Sequence, residues 1–139
     1  MFTTTTFSAW DLNEDLQAGL ESMGWEFVTQ VQKETIPIAL SGRDVIGQAR
    51  TGSGKTAAFG LPTMNACQPT GELQALILAP TRELANQVAE ELSNIQGETG
   101  LNIQMKSAQV CRTHGSPYVL LHWNVCSIAL CPLDRVFLL

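Results

Sequence analysis

The stretch Asp44-Val45-Ile46-Gly47-Gln48-Ala49-Arg50-Thr51-Gly52-Ser53-Gly54-Lys55-Thr56 decides how this chain is read. Val45–Ala49 has the length and apolar character of a short buried strand. Lys55 to about Met64 reads as a helix that Pro62 is expected to bend or end. Between them lies a turn with glycines at 52 and 54. Strand, glycine turn and Lys-Thr at a helix start form the arrangement that phosphate binding requires. Glycine lets successive backbone N–H groups point into one concavity, and the helix adds the positive end of its dipole there. On this reading the backbone of Ala49, Arg50, Thr51, Gly52, Ser53 and Gly54 cradles the phosphates of ATP. Lys55 and Thr56 are the candidate catalytic residues. Lys55 contacts the β- and γ-phosphates, and Thr56 offers its hydroxyl to Mg2+. Ala49 stands where the strict pattern begins with glycine. The plainer alternative is a glycine-rich turn ahead of a structural helix.

Outward from the loop, the pattern alternates between helix and strand. Asp11 followed by Glu14 resembles a capping box, and Leu12, Leu16, Leu20 and Met23 share one helical face. Thr29 and Gln32 are placed to cap a second helix limited by Pro37. Ala75–Ala79 is an apolar run of strand length. Glu83–Ile95 is amphipathic, with Leu84, Val88, Leu92 and Ile95 on one face and Gly97 just beyond. Leu101, Ile103 and Met105 alternate as in a strand. Strand–helix–strand–helix–strand predicts an α/β fold, a parallel sheet with flanking helices.

Length and charge set the outer bounds. The 139 residues suit one domain with a single core, and 45% hydrophobic residues argue against disorder. The net charge is −5 and the pI about 4.9. Nucleic-acid binders are usually basic, so any RNA site here is a local cluster. Cys67, Cys111, Cys126 and Cys131 lack metal-ligand spacing, and Met1–Ala9 lacks the basic region of a secretory signal. A cytoplasmic protein with reduced thiols and no membrane span is expected. Of 8 Lys+Arg and 13 Asp+Glu, only Arg112, Asp134 and Arg135 follow residue 110. The drop divides the chain into 1–43 upstream of the loop, 44–110 around it, and an apolar tail at 111–139. The abrupt change fits a frame-shifted end of a longer gene better than a cloning artefact or a lineage-specific ending.

The flanks of the loop carry a resemblance. Ala49-Arg50-Thr51-Gly52-Ser53-Gly54-Lys55-Thr56 is similar to motif I of the DEAD-box RNA helicases, including its alanine start. Pro80-Thr81-Arg82-Glu83-Leu84-Ala85 matches their motif Ia. Gly24-Trp25-Glu26-Phe27-Val28-Thr29-Gln30-Val31-Gln32 resembles their Q motif, with Phe7 at the spacing of the upstream aromatic. Val28 stands where the family has proline. The resemblance covers about residues 1–110 and implies a partial RecA-like domain, ATP as ligand and RNA as partner. It implies that Gln32 reads the adenine edge, that Phe7 stacks on the base and that Thr29 helps hold the loop. It implies that Pro80, Thr81, Arg82 and Glu83 meet the RNA backbone. Plainer roles are a capping glutamine, aromatic packing beside Trp10, and a capped helix with a surface arginine.

After Val110 the family's glycine pair, its acidic Asp-Glu-Ala-Asp segment and its second RecA-like domain are not found. Asp134 does not have the context of the Mg2+-binding acid. Hydrolysis requires such an acid, a positioned water and an arginine from the second domain. The chain is therefore read as the ATP-binding N-terminal portion of such a helicase. The alternatives are a non-catalytic ATP- and RNA-binding module and a non-functional truncated product.

Overall fold

The computed structural model describes residues 2–70, 74–107, 126–129 and 136–138. The chain divides into two compact units, residues 1–71 with 90–102, and residues 72–89 with 103–139.

The first unit opens with β1 (Phe2–Thr6) and a single 3-10 turn at Phe7–Ala9. Helix α1 (Glu14–Ser22) follows, then β2 (Phe27–Thr29), α2 (Gln30–Leu40) and α3 (Lys55–Asn65). β1 and β2 form an antiparallel ribbon, with Phe2 opposite Thr29 and Thr6 opposite Phe27. The cap of α1 is Asn13, whose side chain accepts from Asp15 N at 2.8 Å, and not the expected Asp11. The α2 start is as expected: Thr29 occupies the N-cap and Gln32 the N3 position. Neither proline ends its helix. Pro37 lies inside α2 and Pro62 inside α3.

Packing explains why α3 tolerates Pro62. Ala57, Ala58, Leu61, Pro62, Thr63 and Met64 are all buried, so tertiary contacts outweigh the missing N–H. The core of this unit also contains Leu16, Leu20, Val28, Ile36, Leu92 and Ile95. Two glycines set the closest approaches. A Cβ on Gly19 of α1 would fall 2.2 Å from Ile95 O, and one on Gly60 would fall 2.2 Å from Leu92 Cδ2. Gly97, at φ +58°, lies just past Ile95 as the chain turns away.

In the second unit, β3 (Leu76–Ala79) leads into α4 (Arg82–Ile95), whose C-terminal turns belong to the first unit. Ala85, Val88, Leu92 and Ile95 form its buried stripe, and Leu84 is only half-buried. β4 (Met105–Ser107), β5 (Cys126–Ala129) and β6 (Val136–Leu138) complete a four-stranded sheet in the order β4-β5-β3-β6. β6 runs parallel to β3, whereas β5 is antiparallel to both β3 and β4. The sheet is thus mixed, not the uniformly parallel one expected. Both edges of β3 are taken by strands from the apolar tail.

Val45–Ala49 is a second departure. It has no regular structure, and Ile46 is fully exposed. A strand is stable only against a neighbour, and among the described residues Val45–Ala49 pairs with none. Apolar length alone could not reveal that. Leu101 and Ile103 likewise fall outside β4. Cys67 is a buried free thiol, and its burial pushes its pKa up. The remaining cysteines lie where no side chain is described. No described helix is long and apolar enough to cross a membrane.

Gly19→Ala tests the close approach of α1 to the end of α4. Overpacking of this kind costs about 1–3 kcal/mol, against at most ~1 kcal/mol gained in helix propensity. Denaturant unfolding should show a lower midpoint. An unchanged midpoint would contradict the backbone contact.

Candidate nucleotide-binding site

The loop ahead of α3 bends through two left-handed residues, Gly52 at φ +75° and Gly54 at φ +83°. Other L-residues rarely adopt this conformation, so glycine is required at both. Gly54 is the N-cap of α3. Its carbonyl accepts the first helical bond, from Ala58 N at 3.2 Å. Ser53 N donates to Arg50 O at 3.3 Å, closing the turn. The first N–H groups of α3 have no intrahelical partners and, with the helix dipole, make this end electropositive. Arg50, Thr51 and Gly52 are exposed, and Ser53, Gly54, Lys55 and Thr56 are half-buried.

Lys55 folds back over the loop. Its Nζ donates to Ala49 O at 2.6 Å and to Arg50 O at 3.4 Å. The ammonium is therefore held at the loop whose phosphates it is expected to meet. A phosphate oxygen would replace one neutral acceptor with a charged one, giving a stronger bond.

Gln32 supports the loop from below. Its Oε1 accepts from Thr29 N at 2.8 Å and its Nε2 donates to Gly54 O at 3.1 Å. The residue is 2% exposed. The buried amide thus ties the start of α2 to the start of α3. A Cβ on Gly54 would fall 2.5 Å from Gln32 Nε2 and 3.3 Å from Thr29 Oγ1, whereas one on Gly52 meets nothing within 4 Å.

Beside the loop lies a cleft of about 340 Å³, lined by Thr29, Gln30, Val31, Glu34, Thr35, Ile46, Gly47, Gln48, Ala49 and Ser53. The hydroxyl of Ser53 is buried without a hydrogen-bond partner, and that of Thr29 faces the Gln32 N–H of the capping box. Buried polar atoms are usually paired, so Ser53 has bonding capacity left for a polar guest. The cleft therefore joins Thr29 to Ala49 and Ser53 of the loop. Val31, Glu34 and Thr35 were not singled out from sequence. Glu34 and Thr35 lie one helical turn past Gln30 and Val31, and that spacing is the signal that places the four on one face.

Phe7, expected to stack on the base, lies among aromatic side chains. It is 5% exposed and absent from the cleft lining. Its ring lies edge-on to Trp10 at 6.1 Å and stacks near Trp25 at 6.5 Å. This is the packing role beside Trp10, with Trp25 as a further partner.

In the second unit, Thr81 Oγ1 accepts from Leu84 N at 3.2 Å and so caps α4. Pro80, Thr81, Arg82 and Glu83 are all exposed at that helix start. Among the described residues, no group of three His, Cys, Asp or Glu side chains could hold a metal ion. Thr56 would supply one oxygen to a Mg2+ that arrives with the phosphates of a nucleotide.

The two loop glycines make a paired test. Gly54→Ala combines a left-handed φ with a clash against Gln32, and Gly52→Ala has only the former. Strain of this type costs about 1–3 kcal/mol per residue. Chemical unfolding should show the larger loss for Gly54→Ala. Equal losses would contradict the Gln32 strut.

Comparison with known proteins gives a consistent result. The family model for the DEAD/DEAH box helicases matches residues 29–118. RNA helicase CrhR of Synechocystis sp. is 52% identical over 100 residues, covering 72% of this chain and 20% of that protein. The DEAD-box ATP-dependent RNA helicase CshA of Bacillus subtilis is 52% identical over 93 residues, covering 66% of this chain and 19% of that protein. Among solved structures, a DEAD box protein from the hyperthermophile Methanococcus jannaschii superposes with a TM-score of 0.67 at 35% identity. That match covers 73% of this chain and 28% of the other. S. cerevisiae Dbp5, solved bound to Gle1 and IP6, gives a TM-score of 0.67 at 32% identity over 70% of this chain and 26% of its own. The chain spans about one fifth of the length of the curated relatives it matches. With a matched model over residues 29–118, relatives above half identity and neighbours of RecA-like fold, the chain belongs to the DEAD/DEAH box helicase family.

Proposed function

We propose that this chain binds ATP through residues 49–56, as the nucleotide-binding part of an ATP-dependent RNA helicase acting in the cytoplasm. The observation that carries the reading is the loop itself: two left-handed glycines precede a helix N-terminus, and the Lys55 ammonium folds back onto the carbonyl of Ala49. Each element favours a polyanion, and together they suit a triphosphate. Lys55 would exchange Ala49 O for a β- or γ-phosphate oxygen. Thr56 would place its hydroxyl on Mg2+, and Mg2+ when bound would neutralise charge on the phosphates. Thr29 and Ser53 would bond polar atoms of the nucleotide from the cleft wall.

Gln32 takes two roles in this reading. In the conformation described it is the strut beneath the loop. Its amide keeps one N–H and one lone pair beyond those two bonds, the pair that an adenine edge would need. To present them it must become more accessible than its 2% exposure allows. RNA would meet Pro80–Glu83 through phosphate contacts, which fix position and carry no sequence information.

Titration calorimetry on the folded chain tests the nucleotide claim. Lys55→Ala should abolish ATP binding, lowering affinity by about a hundredfold or more, as expected from removing a charge-assisted contact. Retained affinity would overturn the reading. The RNA claim has its own test. Single-stranded RNA binding at low salt should weaken in Arg82→Ala and fall as salt rises. Undetectable binding at low salt would reject it.

A further inference from the structure

The far end of α3 carries a contact that the nucleotide-binding reading does not use. Asn65 is the last residue of the helix that begins at Lys55. Its Oδ1 accepts from Asn13 N at 2.7 Å, and its Nδ2 donates to Asp11 O at 3.4 Å. One amide thus brackets the backbone just ahead of α1, more than fifty residues away in sequence.

The bracketed segment leads back to the loop by another route. Leu12, between the two bonded residues, is buried. Trp10 packs on Phe7, and Phe7 on Trp25. Phe7 N donates to Glu26 O at 3.3 Å, and β1 pairs with β2. β2 ends at Thr29, whose N–H is held by Gln32, and Gln32 holds Gly54 O. The contacts form a closed ring: loop, α3, Asn65, residues 11–13, the aromatic cluster, β2, Gln32 and loop again. Every member belongs to the first unit.

We propose that Asn65 is a positioning residue for the nucleotide site, coupling residues 2–13 to the phosphate loop through both ends of α3. The inference rests on the ATP-binding reading. The aromatic side of the ring fixes β2, and β2 fixes the Thr29 wall of the cleft. The helix side fixes the position of α3 against that wall. Asn65 is where the two sides meet. Without it, Gln32 alone joins the Thr29 wall to the Gly54 corner, and a smaller fraction of molecules has both in place. Apparent affinity falls by that fraction. By linkage, a bound nucleotide must strengthen the bracket as much as the bracket strengthens binding.

Two measurements test this. The first is calorimetric ATP titration, at low temperature where each variant remains folded, of the parent chain, Asn65→Ala, Gln32→Ala and the double variant. Asn65→Ala should raise the dissociation constant roughly three- to tenfold, as for the loss of one or two hydrogen bonds. In the Gln32→Ala background the further loss should shrink, because the ring is already open. A residue that merely stabilises the fold would lower the melting temperature, leave the affinity of folded protein unchanged and give additive losses. Either unchanged affinity or additivity would overturn the proposal. The second measurement needs no variant. Amide hydrogen exchange at Asn13 in the parent chain should slow when ATP is added, and an unchanged rate would overturn the coupling. If the parent chain bound no ATP, both this inference and the reading beneath it would fall. If it bound ATP and Asn65→Ala bound equally well, only the inference would.

Discussion

A turn that aims its N–H groups at an anion must send its carbonyls elsewhere, and those carbonyls need partners of their own. That constraint organises the first unit. Gly54 O is shared between Ala58 N and the buried Gln32 amide. Arg50 O receives Ser53 N, and Ala49 O receives the Lys55 ammonium. Only backbone with positive φ at residues 52 and 54 turns the peptide planes this way. The glycines therefore shape the turn, and Gln32 and Lys55 hold it. A loop preorganised by its neighbours loses less entropy on binding than one that must fold around its ligand.

The loop was legible because its chemistry demands particular residue types at fixed spacing. No other residue replaces a left-handed glycine cheaply. The Thr29–Gln32 cap was legible for a similar reason, since N-cap and N3 positions constrain side-chain chemistry. What sequence could not show was where Gln32 spends its amide. Pairing with Gly54 O depends on a residue 22 positions away in sequence. Phe7 carries the same lesson. An aromatic at the right spacing fits either base stacking or core packing, and spacing alone does not show that Trp10 and Trp25 pack around it.

The strands were the least legible part. Val45–Ala49 and Leu76–Ala79 are both short apolar runs, yet only the second is a strand. The difference is the supply of pairing partners, which is a long-range property. Residues after 110 show no steady period, and periodicity gave no reason to expect β5 and β6. Backbone pairing with β3 placed them there. A sheet with two antiparallel pairs also departs from the strand–helix–strand rule, because that rule presumes that each new strand arrives through a helical crossover.

The proposed ATP binding rests on the loop amides meeting the phosphates. Two-dimensional amide NMR of the 15N-labelled chain tests it most directly, by comparing ATP with adenosine. The account predicts that ATP shifts the backbone amides of Gly52, Ser53, Gly54 and Lys55 together, and that adenosine at the same concentration leaves them in place. Equal shifts with adenosine, or amides at 52–55 unmoved by saturating ATP, would contradict it.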